Sequence, residues 1–105
     1  MSVVRINAIT VPDGGGGELE DRFRHRLGAV DQQQGFRSFE LLRPTAPTEH
    51  RWFVVTHWDS AEDFEAWVGS PAFRHGHANT ERQPVATGSD LLAFDVVLSS
   101  QAGGR

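Results

Sequence analysis

The chain contains no cysteine. This absence excludes disulfides, thiolate nucleophiles, iron–sulfur clusters and zinc sites built on cysteine. Any metal must therefore be held by histidine, aspartate or glutamate side chains.

The chain also lacks an excess of positive charge, because 14 acidic side chains outnumber 10 basic ones and the formal net charge is −4. Such a balance leaves no electrostatic footprint for nucleic acid or for an anionic membrane. Long apolar runs are missing too: no window approaches the roughly 20 apolar residues of a membrane span, and the start has no signal-peptide pattern. We expect a cytoplasmic protein with no nucleic-acid partner and no membrane insertion.

What is present fits one small folded domain. The length is 105 residues, with 38% hydrophobic and 23% charged residues, which is typical of a globular chain. We expect a single domain over residues 1–98 and a flexible tail over residues 99–105. Five histidines, three tryptophans and seven phenylalanines suit a flat or metal-bearing ligand, although this content alone is unremarkable.

Four segments rich in β-branched and aromatic residues predict strands. They are residues 3–11, 36–43, 51–58 and 91–98. Apolar positions at helical spacing predict a helix over residues 18–31, and Ser60 is a suitable N-cap for a second helix. The order βαββαβ predicts a ferredoxin-like α+β fold, with a four-stranded antiparallel sheet and helices on one face.

Two segments that contain glycine or proline have predictable local structure. The run of glycines over residues 14–17 lacks the Lys-Ser/Thr pair of a phosphate-binding loop and predicts a flexible loop. Ser70 and Pro71 suit the N-cap and the first position of a further helical segment that continues to residue 79.

The third predicted strand is apolar on both faces. Trp52, Val54 and Trp58 alternate with Phe53 and Val55, so neither face of the strand is polar. Helices can cover one face of an antiparallel sheet, and something else must cover the other. A second copy of the chain is the economical explanation, so we expect a homodimer.

Two histidines lie on the helical segment after Pro71. Successive helical residues turn by about 100°, so His75 and His77 point roughly 200° apart and only one can face a given pocket. His77 shares its face with Phe73 and Arg74, which makes it the favoured inward residue. A lone helical histidine is nevertheless more often structural or solvated than a metal ligand. One imidazole is still sufficient for haem, whose porphyrin supplies four nitrogens.

Hydrolytic chemistry has no support in the sequence. No pair of histidines has the spacing of a zinc-hydrolase motif, and no serine or cysteine stands in a nucleophile-elbow context.

Short stretches along nearly the whole chain carry a resemblance to a known family. These are residues 3–9, 18–23, 39–44, 53–58, 64–67 and 84–88. The chain resembles an antibiotic-biosynthesis-monooxygenase (ABM) domain. Within that superfamily it is similar to the IsdG-type haem-degrading monooxygenases, and among these to the MhuD subgroup. The resemblance implies a dimeric β-barrel formed by the sheets of two ABM domains.

The resemblance also implies a catalytic trio of asparagine, tryptophan and an axial histidine. The residues at the matching places are Asn7, Trp67 and His77, and His75 is the fallback iron ligand. In this role Asn7 would donate a hydrogen bond to an oxygen species at the haem iron, and Trp67 would press on the porphyrin face. The structural alternatives are a core tryptophan and an asparagine bonded to backbone.

Four further residues are candidates for contact with haem. Arg22 and Arg26 suit the haem propionates, because arginine forms charge-assisted pairs with carboxylates. They equally suit surface pairs with acids such as Glu18. Phe23 and Phe73 are candidates for apolar contact with the macrocycle, and ordinary core packing explains them as well.

The resemblance therefore leads us to expect a haem-degrading monooxygenase in which haem is both substrate and cofactor. Dioxygen and an external electron donor, supplied by an unidentified reductase or reductant, would be required, because the chain has no flavin or nicotinamide motif. Iron and an opened tetrapyrrole would be the products. The alternatives are a cofactor-free ABM monooxygenase acting on an aromatic polyketide-like substrate, and a non-catalytic haem-binding protein.

Overall fold

A computed structural model describes residues 1–26, 28–71, 73 and 87–102, with residue 26 described in its backbone only. The elements follow the predicted order βαββαβ. They are β1 (Val3–Thr10), α1 (Gly16–Arg26), β2 (Phe36–Leu42), β3 (Arg51–Trp58), α2 (Ala61–Val68) and β4 (Gly88–Asp95). The ferredoxin-like α+β prediction is confirmed.

The four strands form one antiparallel sheet in the order β2-β3-β1-β4. The long central strands β1 and β3 pair from Val3 opposite Trp58 to Thr10 opposite Arg51. Alternate residues of each strand point to opposite sides of a sheet. Asn7 therefore lies on the same face as Ile9, Trp52 and Trp58.

Both helices cover that face. Leu19 of α1 is buried in a cluster with Ile9, Val11 and Trp52. Phe64 of α2 meets the Trp58 ring edge-on, with centroids 5.7 Å apart. The predicted placement of the helices on one side of the sheet is confirmed, and α1 and α2 cover opposite ends of β1 and β3.

The first helix begins earlier and ends earlier than the sequence predicts. Gly16 and Gly17 form its first turn instead of a flexible loop, because the turn at Gly14, with φ of 87°, already redirects the chain. Gly16 lies so close to Trp52 that a Cβ there would stand 2.5 Å from the indole Cζ2. At the other end α1 stops at Arg26 instead of residue 31, and Gly28 adopts a φ of 97° that ordinary residues avoid.

The second helix begins as the sequence predicts. The Ser60 hydroxyl accepts a hydrogen bond from the Asp63 backbone N–H at 3.2 Å and donates one to Asp63 Oδ2 at 2.9 Å. This N-cap satisfies a backbone N–H that would otherwise lack a partner in the first turn.

The last strand is shifted relative to its prediction of residues 91–98. β4 pairs with the whole of β1, from Gly88 opposite Thr10 to Asp95 opposite Val3. The pairing ends at Asp95 because Val3 is the first residue of β1. One hydrogen bond follows, from Val96 N–H to Ser2 O at 3.0 Å. Val97 and Leu98 are therefore exposed despite their strand-like character.

The opposite side of the sheet, which we call the open face, is not covered by any described helix. Its side chains include Ile6, Phe53, Val55, His57, Leu92 and Phe94. Phe94 is 52% exposed, so this face presents large apolar groups to solvent in the single chain. The homodimer and its barrel stay predictions, as does the division into a domain over 1–98 and a tail over 99–105.

None of the helices among the described residues is long and apolar enough to span a membrane.

Candidate functional site

A strip of four residues crosses the helix-covered face between the areas that α1 and α2 protect. The sheet register aligns one residue of each strand in this floor strip: Leu41, Val54, Asn7 and Leu91. None of the four is buried, and Leu91 is 62% exposed. The adjoining pair Ile9 and Trp52 is buried under α1. The strip is thus only partly covered by the two helices, and we treat it as the floor of a candidate cleft between them.

Asn7 is the polar member of this otherwise apolar floor. The strand alternation that aims Ile9 into the core also aims Asn7 toward the helices, beside Val54 on one neighbouring strand and Leu91 on the other. Among the residues that the structure describes, none forms a hydrogen bond with the Asn7 side-chain amide. Within the described residues, the Asn7 side chain is therefore not bonded to backbone. Toward these residues its amide keeps its capacity to donate and accept hydrogen bonds.

Trp67 lies at the C-terminal end of α2 in contact with Phe73. Their rings meet edge to face, with centroids 5.6 Å apart. Ser70 connects the two residues, because its hydroxyl donates to Trp67 O at 2.6 Å and accepts from Phe73 N–H at 3.2 Å. This cap is the one that the Ser-Pro pair predicts, and it fixes the turn between α2 and the following segment.

Phe23 lies on α1 and packs on the core cluster. Its ring is tilted against Phe39, with centroids 5.9 Å apart, and the floor residues Leu41 and Val54 pack on the same core cluster. The core-packing alternative is thus observed for Phe23. Because two floor residues pack on the same cluster, Phe23 lies on the α1 side of the cleft as well.

Arg22 is paired with Glu18 one turn earlier, at 2.7 Å. The Arg22 side chain is 21% exposed and that of Glu18 is 59% exposed, so the pair lies at the surface. Exposed pairs of this kind contribute little to stability, about 0–1 kcal/mol, and a ligand carboxylate can exchange with the glutamate. The Arg26 side chain lies outside the described residues.

The two candidate iron ligands, His75 and His77, lie outside the described residues. The other three histidines point elsewhere: His25 Nδ1 lies 2.7 Å from Asp21 O, His50 lies 3.5 Å from Asp13, and His57 is on the open face. Across residues 1–26, 28–71, 73 and 87–102, no group of three or more histidine, aspartate or glutamate side chains could hold a metal ion.

Sequence reasoning missed one residue near the cleft. Arg5 lies on the same face as Asn7, and its guanidinium carbon stands 5.4 Å from the centroid of the Phe64 ring. The alternation of β1 already places Arg5 beside Asn7. Its contact with Phe64 becomes visible only once α2 is packed on the sheet.

Three comparisons with known proteins agree with this architecture. The family model for antibiotic biosynthesis monooxygenase matches residues 2–79. The chain is 53% identical over 105 residues to a heme oxygenase (mycobilin-producing) of Mycobacterium tuberculosis, covering 100% of this chain and 98% of the relative. It is 35% identical over 92 residues to a heme oxygenase (staphylobilin-producing) of Staphylococcus haemolyticus, covering 87% of this chain and 86% of the relative.

A solved structure extends the similarity to three dimensions. The heme-degrader MhuD of Mycobacterium tuberculosis, with two hemes bound in its active site, superposes with a TM-score of 0.81 and 55% identity. The match covers 94% of this chain and 99% of that one. The chain therefore belongs to the antibiotic biosynthesis monooxygenase family, within its group of haem-degrading monooxygenases.

Proposed function

We propose that this protein is a haem-degrading monooxygenase. It binds haem as both substrate and cofactor and opens the porphyrin ring with dioxygen and external electrons, releasing iron. The observation that carries the proposal is the amide of Asn7, which has no hydrogen-bond partner among the described residues and lies on the apolar floor of the cleft. The identity of 53% to a heme oxygenase over the full chain length supports it.

The cleft has the chemistry that a flat macrocycle requires. Its floor offers the apolar side chains of Leu41, Val54 and Leu91. Aromatic rings stand on both helices, Phe23 on α1 and Trp67 on α2. Ligand sites of this kind are mostly apolar with a few placed polar groups, and Asn7 supplies such a group here.

Asn7 provides a neutral hydrogen-bond donor at the haem face. Asn7 lies on β1, a central strand, so its backbone position is fixed before the ligand arrives. A fixed donor in an apolar site stabilises developing negative charge on oxygen far better than water does. Because an amide does not titrate, Asn7 would not transfer a proton to this oxygen. Any proton that the oxygen takes up would come from solvent.

Trp67 provides a rigid wall against the macrocycle. The Phe73 ring supports the indole from the side, and the Ser70 hydroxyl fixes the turn that brings them together. A large side chain with so little freedom can exert pressure on a bound porphyrin without yielding. The proposed result is a distorted macrocycle that is activated for ring opening.

Arginine side chains complete the binding of haem. Arg22 is proposed to leave Glu18 and pair with a haem propionate, since the present pair is at the surface. Arg26, one turn further along α1, is proposed for the second propionate.

We assign the axial iron ligand to His77, with His75 as the fallback. A neutral imidazole would hold the haem iron through one ring nitrogen, and the haem would supply the chemistry with dioxygen. The chain contains no cysteine, so it has no thiol redox group and electrons must come from a separate donor. The proposed location is the cytoplasm.

We also propose that two copies associate through the open face. Phe53, Val55 and Leu92 lie on this side of the sheet, and Phe94 is 52% exposed there. A contiguous apolar surface of this kind is costly in water and typical of an interface. Pairing of two sheets would bury it and form the barrel that the family resemblance implies.

Titration with haem tests the ligand assignment. The purified protein should develop a Soret band with one defined stoichiometry, and His77→Ala should lose it while His75→Ala keeps it. His25→Ala is the matched control, because His25 lies on α1 with its Nδ1 2.7 Å from Asp21 O. If His75→Ala loses the band and His77→Ala keeps it, the iron ligand is His75.

The same titration separates the competing functions. A haem spectrum that survives ascorbate and dioxygen would indicate a haem carrier. Failure to bind haem, together with oxygen-dependent quinone formation from a phenolic polyketide, would indicate a cofactor-free oxygenase.

A further inference from the structure

Arg5 is a partly buried cation on the helix-covered face of the sheet. In the described part of the chain, no carboxylate lies within salt-bridge distance of its guanidinium. Nη1 donates to the neighbouring Val4 O at 3.2 Å, and the Phe64 ring lies 5.4 Å from Cζ. A cation withdrawn from water requires compensation, and here the face of an aromatic ring provides it.

Arg5 and Phe64 are also connected by a second route. Phe64 meets the Trp58 ring edge-on at 5.7 Å, and Trp58 Nε1 donates to Thr56 Oγ1 at 2.9 Å. Thr56 Oγ1 in turn donates to Arg5 O at 3.2 Å. Arg5, Thr56, Trp58 and Phe64 thus form a closed set of contacts, the Arg5 circuit, which joins β1, β3 and α2. Trp58 is fully buried, so the circuit is anchored in the core.

Members of the Arg5 circuit adjoin, along β1 and α2, the two residues that the proposed reaction requires. Arg5 precedes Asn7 by two residues on β1, a rise of roughly 7 Å on the same face. Phe64 precedes Trp67 by three residues on α2, a rise of roughly 4.5 Å, or a little less than one turn. The separation of β1 from α2 therefore sets the distance from the Asn7 amide to the Trp67 indole.

We infer that Arg5 is a positioning residue, whose stacking on Phe64 fixes α2 over β1 and so holds Trp67 at its working distance from Asn7. The inference rests on the proposed function, since that function gives the distance its meaning. Misplacement of a reacting group by about 1 Å can reduce a rate roughly a hundredfold, so a contact of modest energy suffices for a large kinetic effect. Lysine retains the cation and much of the reach, whereas methionine retains only the apolar stem.

Kinetics provide the first test. Arg5→Met should lower kcat for haem degradation about tenfold and change KM by less than about twofold. Arg5→Lys should recover most of the rate. The matched control is Arg24→Met, which removes an arginine that is 69% exposed and paired with Asp21. In a Trp67→Phe background the Arg5→Met effect should largely disappear, because Arg5 acts through Trp67.

An equal loss of rate for Arg5→Lys and Arg5→Met would overturn the inference. So would an Arg5→Met effect of unchanged size in the Trp67→Phe background. If Arg5→Met does not fold, Phe64→Leu takes its place, because it removes the ring on which Arg5 stacks and keeps apolar volume. Phe64→Leu should then lower kcat in the same way, and this effect should largely disappear in the Trp67→Phe background.

A measurement without haem keeps this inference separate from the proposed function. In protein labelled with 5-fluorotryptophan, the fluorine resonance of Trp67 is assigned by its loss in Trp67→Phe. It should move by more than its linewidth in Arg5→Met and stay in place in Arg24→Met. An unmoved Trp67 resonance in Arg5→Met overturns the positioning role, whether or not haem is degraded. Intact haem with the unsubstituted protein overturns the proposed function and leaves the fluorine result to decide on Arg5.

Discussion

The rings of Trp67 and Phe73 meet edge to face, with their centroids 5.6 Å apart and their planes at 86°. Trp67 lies in the last turn of α2, and Phe73 follows the cap at Ser70, so the contact spans the end of one helix and the start of the next segment. The indole on which the proposed chemistry depends is therefore supported from outside its own helix.

Removal of that support should slow haem degradation. Phe73→Ala deletes an aromatic contact worth about 0.5–1.5 kcal/mol, and we expect a rate loss of roughly threefold to tenfold with haem binding retained. Single-turnover degradation, followed by absorbance, measures the rate. Phe73→Leu is the control, since it retains bulk against the indole. A full rate in Phe73→Ala would show that Trp67 needs no lateral support.

Loss of the Asn7 amide should affect chemistry far more than binding. Asn7→Ala leaves the sheet intact because the residue is only partly buried, and we expect kcat to fall by about 10²- to 10³-fold, as for other fixed hydrogen-bond donors. The haem dissociation constant should change little. Ser38→Ala is the control, because Ser38 is a small polar residue on the open face opposite His57. Equal rates for Asn7→Ala and the unsubstituted protein would remove Asn7 from the mechanism.

Gly35 should tolerate no side chain. Its φ is 79°, and a Cβ there would collide with the Asp63 side chain. The backbone conformation alone costs about 1–2 kcal/mol for alanine, and displacement of Asp63 from its bond to Ser60 adds to this cost. Gly14→Ala is the matched control, with a φ of 87° and open space around the new Cβ. Urea unfolding should show a larger loss of stability for Gly35→Ala than for Gly14→Ala; equal losses would contradict the collision with Asp63.

Acid should weaken one surface contact in a defined pH range. Hydrogen bonds from the Arg51 side chain lower the pKa of Glu49 from 4.5 to about 2. Because the pKa is lower in the folded state, the pair stabilises the fold fully above pH 4.5 and loses this contribution as the pH falls toward 2. The difference in unfolding free energy between the unsubstituted protein and Glu49→Gln should therefore shrink across that range.

The Glu49 titration can also be observed directly. Its side-chain carboxyl carbon should titrate near pH 2 by NMR, and in Arg51→Gln the midpoint should rise toward 4.5. An unchanged midpoint in Arg51→Gln would show that Arg51 is not the cause.

A charge on the open face should separate the proposed dimer. Phe53→Arg places a guanidinium among the apolar groups that two sheets would bury together, and burial of an unpaired charge is costly. Sedimentation equilibrium should find a dimer for the unsubstituted chain and a monomer for Phe53→Arg. Glu62→Arg, on the exposed side of α2, should remain dimeric. A monomeric unsubstituted chain would contradict the proposed assembly.

The sequence predicts local features well where one physical signal decides them. β3 has the predicted bounds, Arg51–Trp58, because both of its faces are apolar and turn residues flank it. The Ser60 cap also follows from residue chemistry alone. The position of β4 does not, because Val97 and Leu98 have strand-like character but lie beyond the end of β1.

The candidate site likewise has some features that the sequence predicts and others that depend on the packing of the folded chain. Strand alternation assigns Asn7 to the face that the helices cover, so its place is predictable from sequence. The contact between Arg5 and Phe64 is not predictable, because it depends on how α2 packs on the sheet, and residue 5 is separated from residue 64 by most of the fold. The sequence offers Arg22 both Glu18 and a haem propionate as partners, and in the folded chain without ligand Arg22 is paired with Glu18.

The absorption spectrum of the haem complex, recorded before and after addition of ascorbate in air, tests the central claim most directly. We predict a Soret band that forms on stoichiometric addition of haem and disappears after ascorbate, with release of iron that a ferrous chelator detects. A Soret band that persists with ascorbate and dioxygen, with no iron released, would contradict the account.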